Sequence, residues 1–362
     1  MSKNTDKSHI LPKPGIVKQL RLGYAHAQYQ KRIERHQLQQ LFWECTLHCN
    51  LHCLHCGSDC RASLEMKDMP LQDFLSVLDD VRSVMNPRSI LVVSTGGEPL
   101  VRKDICECGR AIRERGFHWG MVSNGYLLDE EMCDRLLDAG LETIAISLDG
   151  FEDAHNWLRG SRNSFIMAER AIKTLVGRHV TWDVITCINP KNLGCLDAFK
   201  QHLIDIGVRD WRVFTIIPMG RAVTNNGLQL SDTQFRNLMD FIVDVRNEGK
   251  IHLCYGCEGF LGNYEWGVRD YPYFCQAGIN VASVLADGSI SGCLSIRSQY
   301  QQGNIYQDRF SDVWSKRFEL YRNREWMRTD ECSGCDMWNY CNGNGMHLRD
   351  DEGNLKLCHY RH

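Results

Sequence analysis

The chain has 362 residues, 43% of them hydrophobic and 24% charged, with a formal net charge of -3; it is long enough for one large α/β domain and a smaller module. A balance so near neutral points to no nucleic-acid partner, and no apolar run approaches the roughly 18–20 residues of a membrane helix. The abnormal number is 18 cysteines, which in a large chain with tight local spacings argue for metal binding rather than a disulfide framework.

Residues 1–39 come first. They carry Lys13, Lys18, Arg21, Lys31, Arg32 and Arg35 and lack the unbroken apolar stretch of a secretory signal, so they read as a solvated, partly helical lead-in to a cytoplasmic protein. From residue 40 to about 250, short apolar runs alternate with helical patterns. The expected strands are 41–44, 90–94, 116–123, 143–148, 180–188 and 211–217; apolar residues at helical spacing mark 71–84, 130–139, 165–175, 196–206 and 235–245. Strand–helix repeats running in one direction require a parallel sheet with right-handed crossovers. Six units fall short of the eight that close a barrel, which predicts an α/β fold with a partial (β/α)6 barrel. Beyond Gly249, glycine, aromatic residues and cysteine become frequent and long helical patterns stop. Residues 251–362 therefore read as a small, loop-rich module that metal would staple.

The first expected strand runs directly into Cys49-x3-Cys53-x2-Cys56, three thiols on one short loop. Four thiolates saturate a [4Fe–4S] cluster; three leave one iron open to a bidentate ligand, and the amino and carboxylate groups of a methionine-like molecule suit it. The second strand ends in Gly96-Gly97-Glu98-Pro99, where paired glycines let a ligand approach the backbone and Glu98 can accept from an ammonium group. The fourth ends in Ser147-Leu148-Asp149-Gly150, followed by His155 and Arg159. Plainer readings exist for each. The three cysteines would also suit zinc with His48, His52 or His55; the glycines a tight turn; Asp149 a helix N-cap; Arg159 an ordinary surface position.

Taken in their order on successive strands, these motifs resemble the radical S-adenosylmethionine (SAM) superfamily, over residues 40–248. The resemblance implies that Cys49, Cys53 and Cys56 hold a SAM-binding [4Fe–4S] cluster. It implies that Gly96, Gly97 and Glu98 meet the SAM amino group, and that Ser147, Asp149 and Arg159 belong to its carboxylate or ribose side. The run 216–222, with Pro218, is similar to the family's adenine-side segment, and His55 stands where many members carry an aromatic residue.

The late cysteines resemble the SPASM module, the auxiliary-cluster domain of peptide- and protein-modifying members. Cys332-x2-Cys335-x5-Cys341 and Cys358 would complete one auxiliary site, although a zinc knuckle would look alike from spacing alone. Cys275 and Cys293 would begin another. The residue four beyond Cys341, where the family pattern has a further cysteine, is Gly345; Cys257, with Cys254 as the rival, is expected to make up the set. Rearranged ligands, an open iron and a smaller cluster all remain compatible with three thiols.

By this resemblance the enzyme cleaves SAM reductively to a 5′-deoxyadenosyl radical that takes a hydrogen atom from substrate, while one or two auxiliary clusters accept the remaining electron. A peptide or protein substrate, with a flavodoxin- or ferredoxin-like one-electron reductant, is the favoured reading, and a ribosomal-peptide maturase its most specific form. Leu294 follows Cys293 where sulfatase-maturing members have an acidic residue, which lowers that option. The alternatives are action on a small molecule or nucleotide-cofactor precursor, and a metal-stapled binding protein without turnover.

Overall fold

A computed structural model describes residues 11–62, 66–296 and 299–361; residues 1–10 of the expected lead-in lie outside it. The chain enters through helix α1 (Ile16–Arg35) and then alternates strand and helix: β1 (Gln40–Thr46), α2 (Leu71–Val84), β2 (Leu91–Gly96), α3 (Ile105–Glu114), β3 (His118–Ser123), α4 (Glu130–Asp138), β4 (Thr143–Ser147), α5 (Glu152–Arg159), α6 (Ser164–Leu175), β5 (Thr181–Ile188), α7 (Leu196–Asp205), β6 (Asp210–Thr215), α8 (Asp232–Glu248) and β7 (His252–Tyr255). Local chemistry explains these elements. Helix α2 buries Phe74, Leu75, Leu78 and Val81 at helical spacing, and Trp43 of β1 stacks on Phe74 with ring centroids 4.2 Å apart. Helix α8 starts in a capping box of Ser231 and Gln234 and stops at Gly249, whose φ of 68° only glycine adopts without strain.

Strands β1 to β7 lie side by side in chain order and pair in parallel. All six expected strands are present. A seventh, β7, extends the series beyond residue 250, and its four residues are too few to show a period in the sequence. The C-terminal segment then returns to the other edge: β8 (Val281–Val284) pairs in parallel with β1, and β9 (Ser289–Ser291) and β10 (Gly303–Asn304) follow in antiparallel. Strand β1, which leads into the three-cysteine loop, is thereby interior to a mixed, mostly parallel sheet of ten strands among the described residues.

The lead-in is more ordered than expected. Tyr29 of α1 is buried, stacks on Phe274 at 4.4 Å, and donates its hydroxyl to the Cys275 carbonyl at 2.9 Å. Gln39 and Gln40 donate backbone N–H to Asn280. Among the described residues no helix is long and apolar enough to cross a membrane.

Candidate active site

Parallel strands bring their C-terminal ends to one edge, and loops leaving that edge build a cleft. Its volume is about 300 Å³. Cys49, Cys53, His55 and Cys56 from the loop after β1 line it, with Gly96 and Gly97 after β2, Ser147 after β4 and Arg159 closing α5. The structure therefore gathers those eight expected residues into one place. Glu98, Asp149 and Pro218 are not in the lining; the first two sit behind it, fully buried.

The three-cysteine loop is clamped from neighbouring elements. Gly97 and Glu98 donate backbone N–H to the carbonyls of Thr46 and His48 at 2.8 and 2.9 Å. A Cβ on Gly97 would stand 2.1 Å from His48 O, so only glycine permits the approach. From the β6 side, Arg221 donates Nε to the Cys53 carbonyl at 2.7 Å and Nη1 to the Cys60 carbonyl at 2.9 Å, while its backbone N–H meets the Cys56 carbonyl at 3.0 Å.

The thiols are not equivalent. Hydrogen bonds from the Cys60 side chain and backbone lower Cys56 against the drag of burial. Burial pushes Cys49 up to about 12 and raises Cys53, with Arg159 opposing in the latter case. Metal binding would have to displace the protons of those two. His55 is driven down to about 3, chiefly by burial, and its Nδ1 has no hydrogen-bond partner.

Behind the lining, Asp149 accepts from Arg159 Nε at 2.6 Å and from the Cys187 N–H at 2.8 Å. Burial alone would raise its pKa, but Arg159 and His155 hold it at about 2. It caps no helix: the residue before α5 is Phe151, without a side-chain cap bond. Arg159, so anchored, reaches Cys53 Sγ at 3.9 Å. Glu98 accepts from the Leu100 N–H (3.1 Å), the Ser123 hydroxyl (2.8 Å) and the Asn124 N–H (2.7 Å). Most of its acceptor capacity is thus spent inside the protein, where a ligand-facing carboxylate had been expected.

Farther along, Cys332, Cys335, Cys341 and Cys358 line one small cavity with Phe260, Trp338 and Tyr360. Cys257, on the loop after β7, lies in the electrostatic field of Cys275, and Cys293 in that of both. Solvent reaches Cys257, yet the protein around it raises its pKa. At Cys275 the burial penalty is outweighed by Arg324 and by N–H groups of Met346 and Ala277, so this thiol is lowered. Cys254 turns elsewhere: Arg246 Nη1 approaches its sulfur at 3.2 Å, with His252 and Asp270 beside it.

A radical SAM superfamily model matches residues 43–203, and a SPASM iron–sulfur cluster-binding model matches residues 275–336. The chain carries a radical SAM domain followed by a SPASM iron–sulfur domain. S-adenosylmethionine and [4Fe–4S] clusters are accordingly its cofactors. Among similar radical SAM proteins, the AdoMet-dependent heme synthase of Oleidesulfovibrio alaskensis is 24% identical over 345 residues, 88% of this chain and 86% of the relative. The mycofactocin maturase MftC of Mycolicibacterium smegmatis is 27% identical over 317 residues, 84% and 77% of the two chains. In fold, the chain matches the anSMEcpe structure with bound AdoMet and Kp18Cys peptide at a TM-score of 0.70 and 19% identity, over 90% of this chain and 94% of that one.

The donor sets fit clusters: three thiols stand on one loop of the cleft and four around one small cavity. Thiolates around a tetrahedral zinc stand roughly 3.8 Å apart, given Zn–S bonds of about 2.3 Å. Among the described residues, the one set of three or more His, Cys, Asp or Glu side chains whose ligand atoms all lie within 4.8 Å is His252, Cys254 and Asp270, and Arg246 already serves it. No three of the motif cysteines converge that closely, as thiols spread around a larger polynuclear core would not. Sequence reasoning did not place several residues that the structure brings to the cleft: Arg221 as a clamp, Ser123 and Asn124 in the lining, and Leu294 and Ser295, which reach it from the SPASM segment. Arg221 lay in the segment 216–222, Leu294 beside Cys293 and Ser123 at the end of an expected strand, each noted for another reason; Asn124 and Ser295 carried no signal in the sequence.

Proposed function

We propose that this radical SAM enzyme oxidises a side chain of a peptide or protein, with electrons delivered by a flavodoxin- or ferredoxin-like reductant. The supporting observation is the cleft. At about 300 Å³ it stands at the lower end of small-molecule pockets, and the cofactors must share that space. A slender side chain asks less of that space than a bulky planar substrate does. A separate groove of about 980 Å³, sharing no lining residue with the cleft, lies between α1 and residues 266–276 and offers a peptide an apolar surface, with Leu20, Tyr24 and Tyr271 exposed and Arg21 and Arg32 flanking them.

In this reading Cys49, Cys53 and Cys56 hold the SAM cluster. The backbone of Gly96 and Gly97, with Ser147 and Arg159, orients SAM; His55 and the segment around Pro218 border its adenine. Asp149 locks Arg159, and Glu98 holds the Ser123–Asn124 turn against the lining. Cys332, Cys335, Cys341 and Cys358 hold one auxiliary cluster, and Cys257, Cys275 and Cys293 supply another. When bound, these groups provide a one-electron route to hydrogen-atom removal from substrate and an acceptor for the electron left behind.

A second reading, a tetrapyrrole-type small molecule, has in its favour the similarity to a heme synthase along 88% of the chain. The two separate by experiment. Anaerobic, reduced protein should release 5′-deoxyadenosine from SAM, and the Cys49→Ala/Cys53→Ala/Cys56→Ala variant should not. Co-expression with a short peptide encoded beside the gene should lower the peptide's mass by two hydrogen atoms. An unchanged peptide together with a saturable shift in the absorption of an added iron porphyrin would overturn the peptide reading and favour the second.

A further inference from the structure

The first auxiliary site is short of one thiol, because Gly345 stands where a fourth is expected. The space in front of Gly345 is filled nonetheless. A Cβ built there would lie 2.6 Å from Cε1 and 2.9 Å from Nδ1 of His347, and 3.0 Å from the Tyr273 hydroxyl. The imidazole edge therefore occupies the volume into which a residue-345 side chain would project. Its neighbours tie that volume to Cys275 above all, and through Tyr273 to Cys257. The Met346 N–H, between Gly345 and His347, donates to Cys275 sulfur; Tyr273 lies in the field of Cys275 and Cys257; and Arg324 acts on Cys275 and on His347 alike.

We propose that His347 is the fourth protein ligand of the first auxiliary cluster, completing the set Cys257, Cys275, Cys293 and His347. The inference rests on the reading of those three cysteines as cluster ligands and deepens it. A neutral imidazole binds iron through a ring nitrogen without losing a proton. The rival donor is the Tyr273 hydroxyl, buried and without a hydrogen-bond partner. It would have to ionise among thiolates, so it is better placed to donate a hydrogen bond to the cluster's sulfur atoms. The arrangement also accounts for the glycine: any Cβ at 345 would collide with the imidazole, so Gly345 and His347 are complementary. Exchange of one thiolate for a neutral ligand leaves the cluster less negative and easier to reduce, the direction seen when histidines replace cysteines in Rieske centres. Four protein ligands also leave no open iron there, so substrate would not be anchored at this cluster.

Pulsed EPR on the full chain tests this. The Cys49→Ala/Cys53→Ala/Cys56→Ala background removes the SAM cluster, and the auxiliary clusters are reduced with dithionite. A nitrogen strongly coupled to the reduced cluster is expected, with its frequency changed by 15N-histidine labelling. His347→Ala should lose the coupling. His347→Cys should keep the iron, lose the coupling and lower the midpoint potential; Tyr273→Phe should keep the coupling. Full iron without histidine coupling in the parent overturns the assignment of His347, and this measurement needs no substitution at His347. Undiminished iron in Cys275→Ala and Cys293→Ala overturns the underlying reading of the site instead.

Discussion

Arg159 owes its position to a carboxylate from which water is excluded. Asp149→Asn would leave that guanidinium buried beside a neutral amide, and breaking a buried pair costs about 3–5 kcal/mol. Urea denaturation should show the loss, and SAM affinity should fall with it. The pH dependence has a definite sign. Asp149 is held at about 2 in the fold, below its ordinary value of 3.8, so its contribution is complete above about pH 4 and disappears as pH falls through 2. The variant should lack that acid-side loss. Glu98→Gln is a milder test. An amide cannot accept at every position where the carboxylate meets Leu100, Ser123 and Asn124, so a donor is left unpaired at a cost of about 1–3 kcal/mol. With Glu98 as a positioning residue, SAM cleavage should slow while iron content stays intact; loss of iron would make it structural.

At the scale of the element, the three-cysteine loop is defined by what presses on it. Gly220, with φ of +52°, has space for no side chain: a Cβ would sit 2.3 Å from the Cys56 carbonyl. Gly220→Ala must therefore push the loop away from Arg221 and strain its own backbone by about 1 kcal/mol or more. Iron of the SAM site should be lost selectively, with auxiliary iron retained, as read by iron analysis and Mössbauer spectra of the variant. The motif itself was visible in the sequence because its thiols are neighbours in the chain. Its clamps were not, since Arg221 is 168 positions from Cys53 and 165 from Cys56 and meets them only by virtue of sheet order. Helices behaved similarly. Apolar spacing located α2 with its correct ends, but α1 buries little beyond Leu22 and Tyr29, too weak a stripe to announce packing.

For the whole molecule, the pairing of β8 with β1 joins the SPASM segment to the strand that presents the SAM loop. Cys257 follows β7 at one edge of the sheet, and Cys275 and Cys293 flank β8 and β9 toward the other, so the site proposed for them would bridge the sheet's two ends. Cluster binding there is coupled to folding. Cys257→Ala should lower iron by one cluster's share and reduce the melting temperature of the C-terminal region; Cys254→Ala, whose thiol is engaged with Arg246, should do much less. Equal iron in the Cys257 variant and the parent would show that the site forms without Cys257.

What the sequence determined by itself is what short-range spacing can carry: the parallel α/β series, the three thiols on one loop, the glycine pair after β2, and Cys332, Cys335 and Cys341 as a local group. These depend on neighbours in the chain, whose geometry varies little. The tertiary structure alone decided which distant residues complete each group. It turned Glu98 toward Ser123 and Asn124, paired Asp149 with Arg159, set Cys254 apart from Cys257, folded the basic lead-in onto Phe274, and put the His347 ring in the space beside Gly345. Such choices follow from strand order and close packing, where one missing Cβ or one buried charge selects among partners that spacing cannot rank.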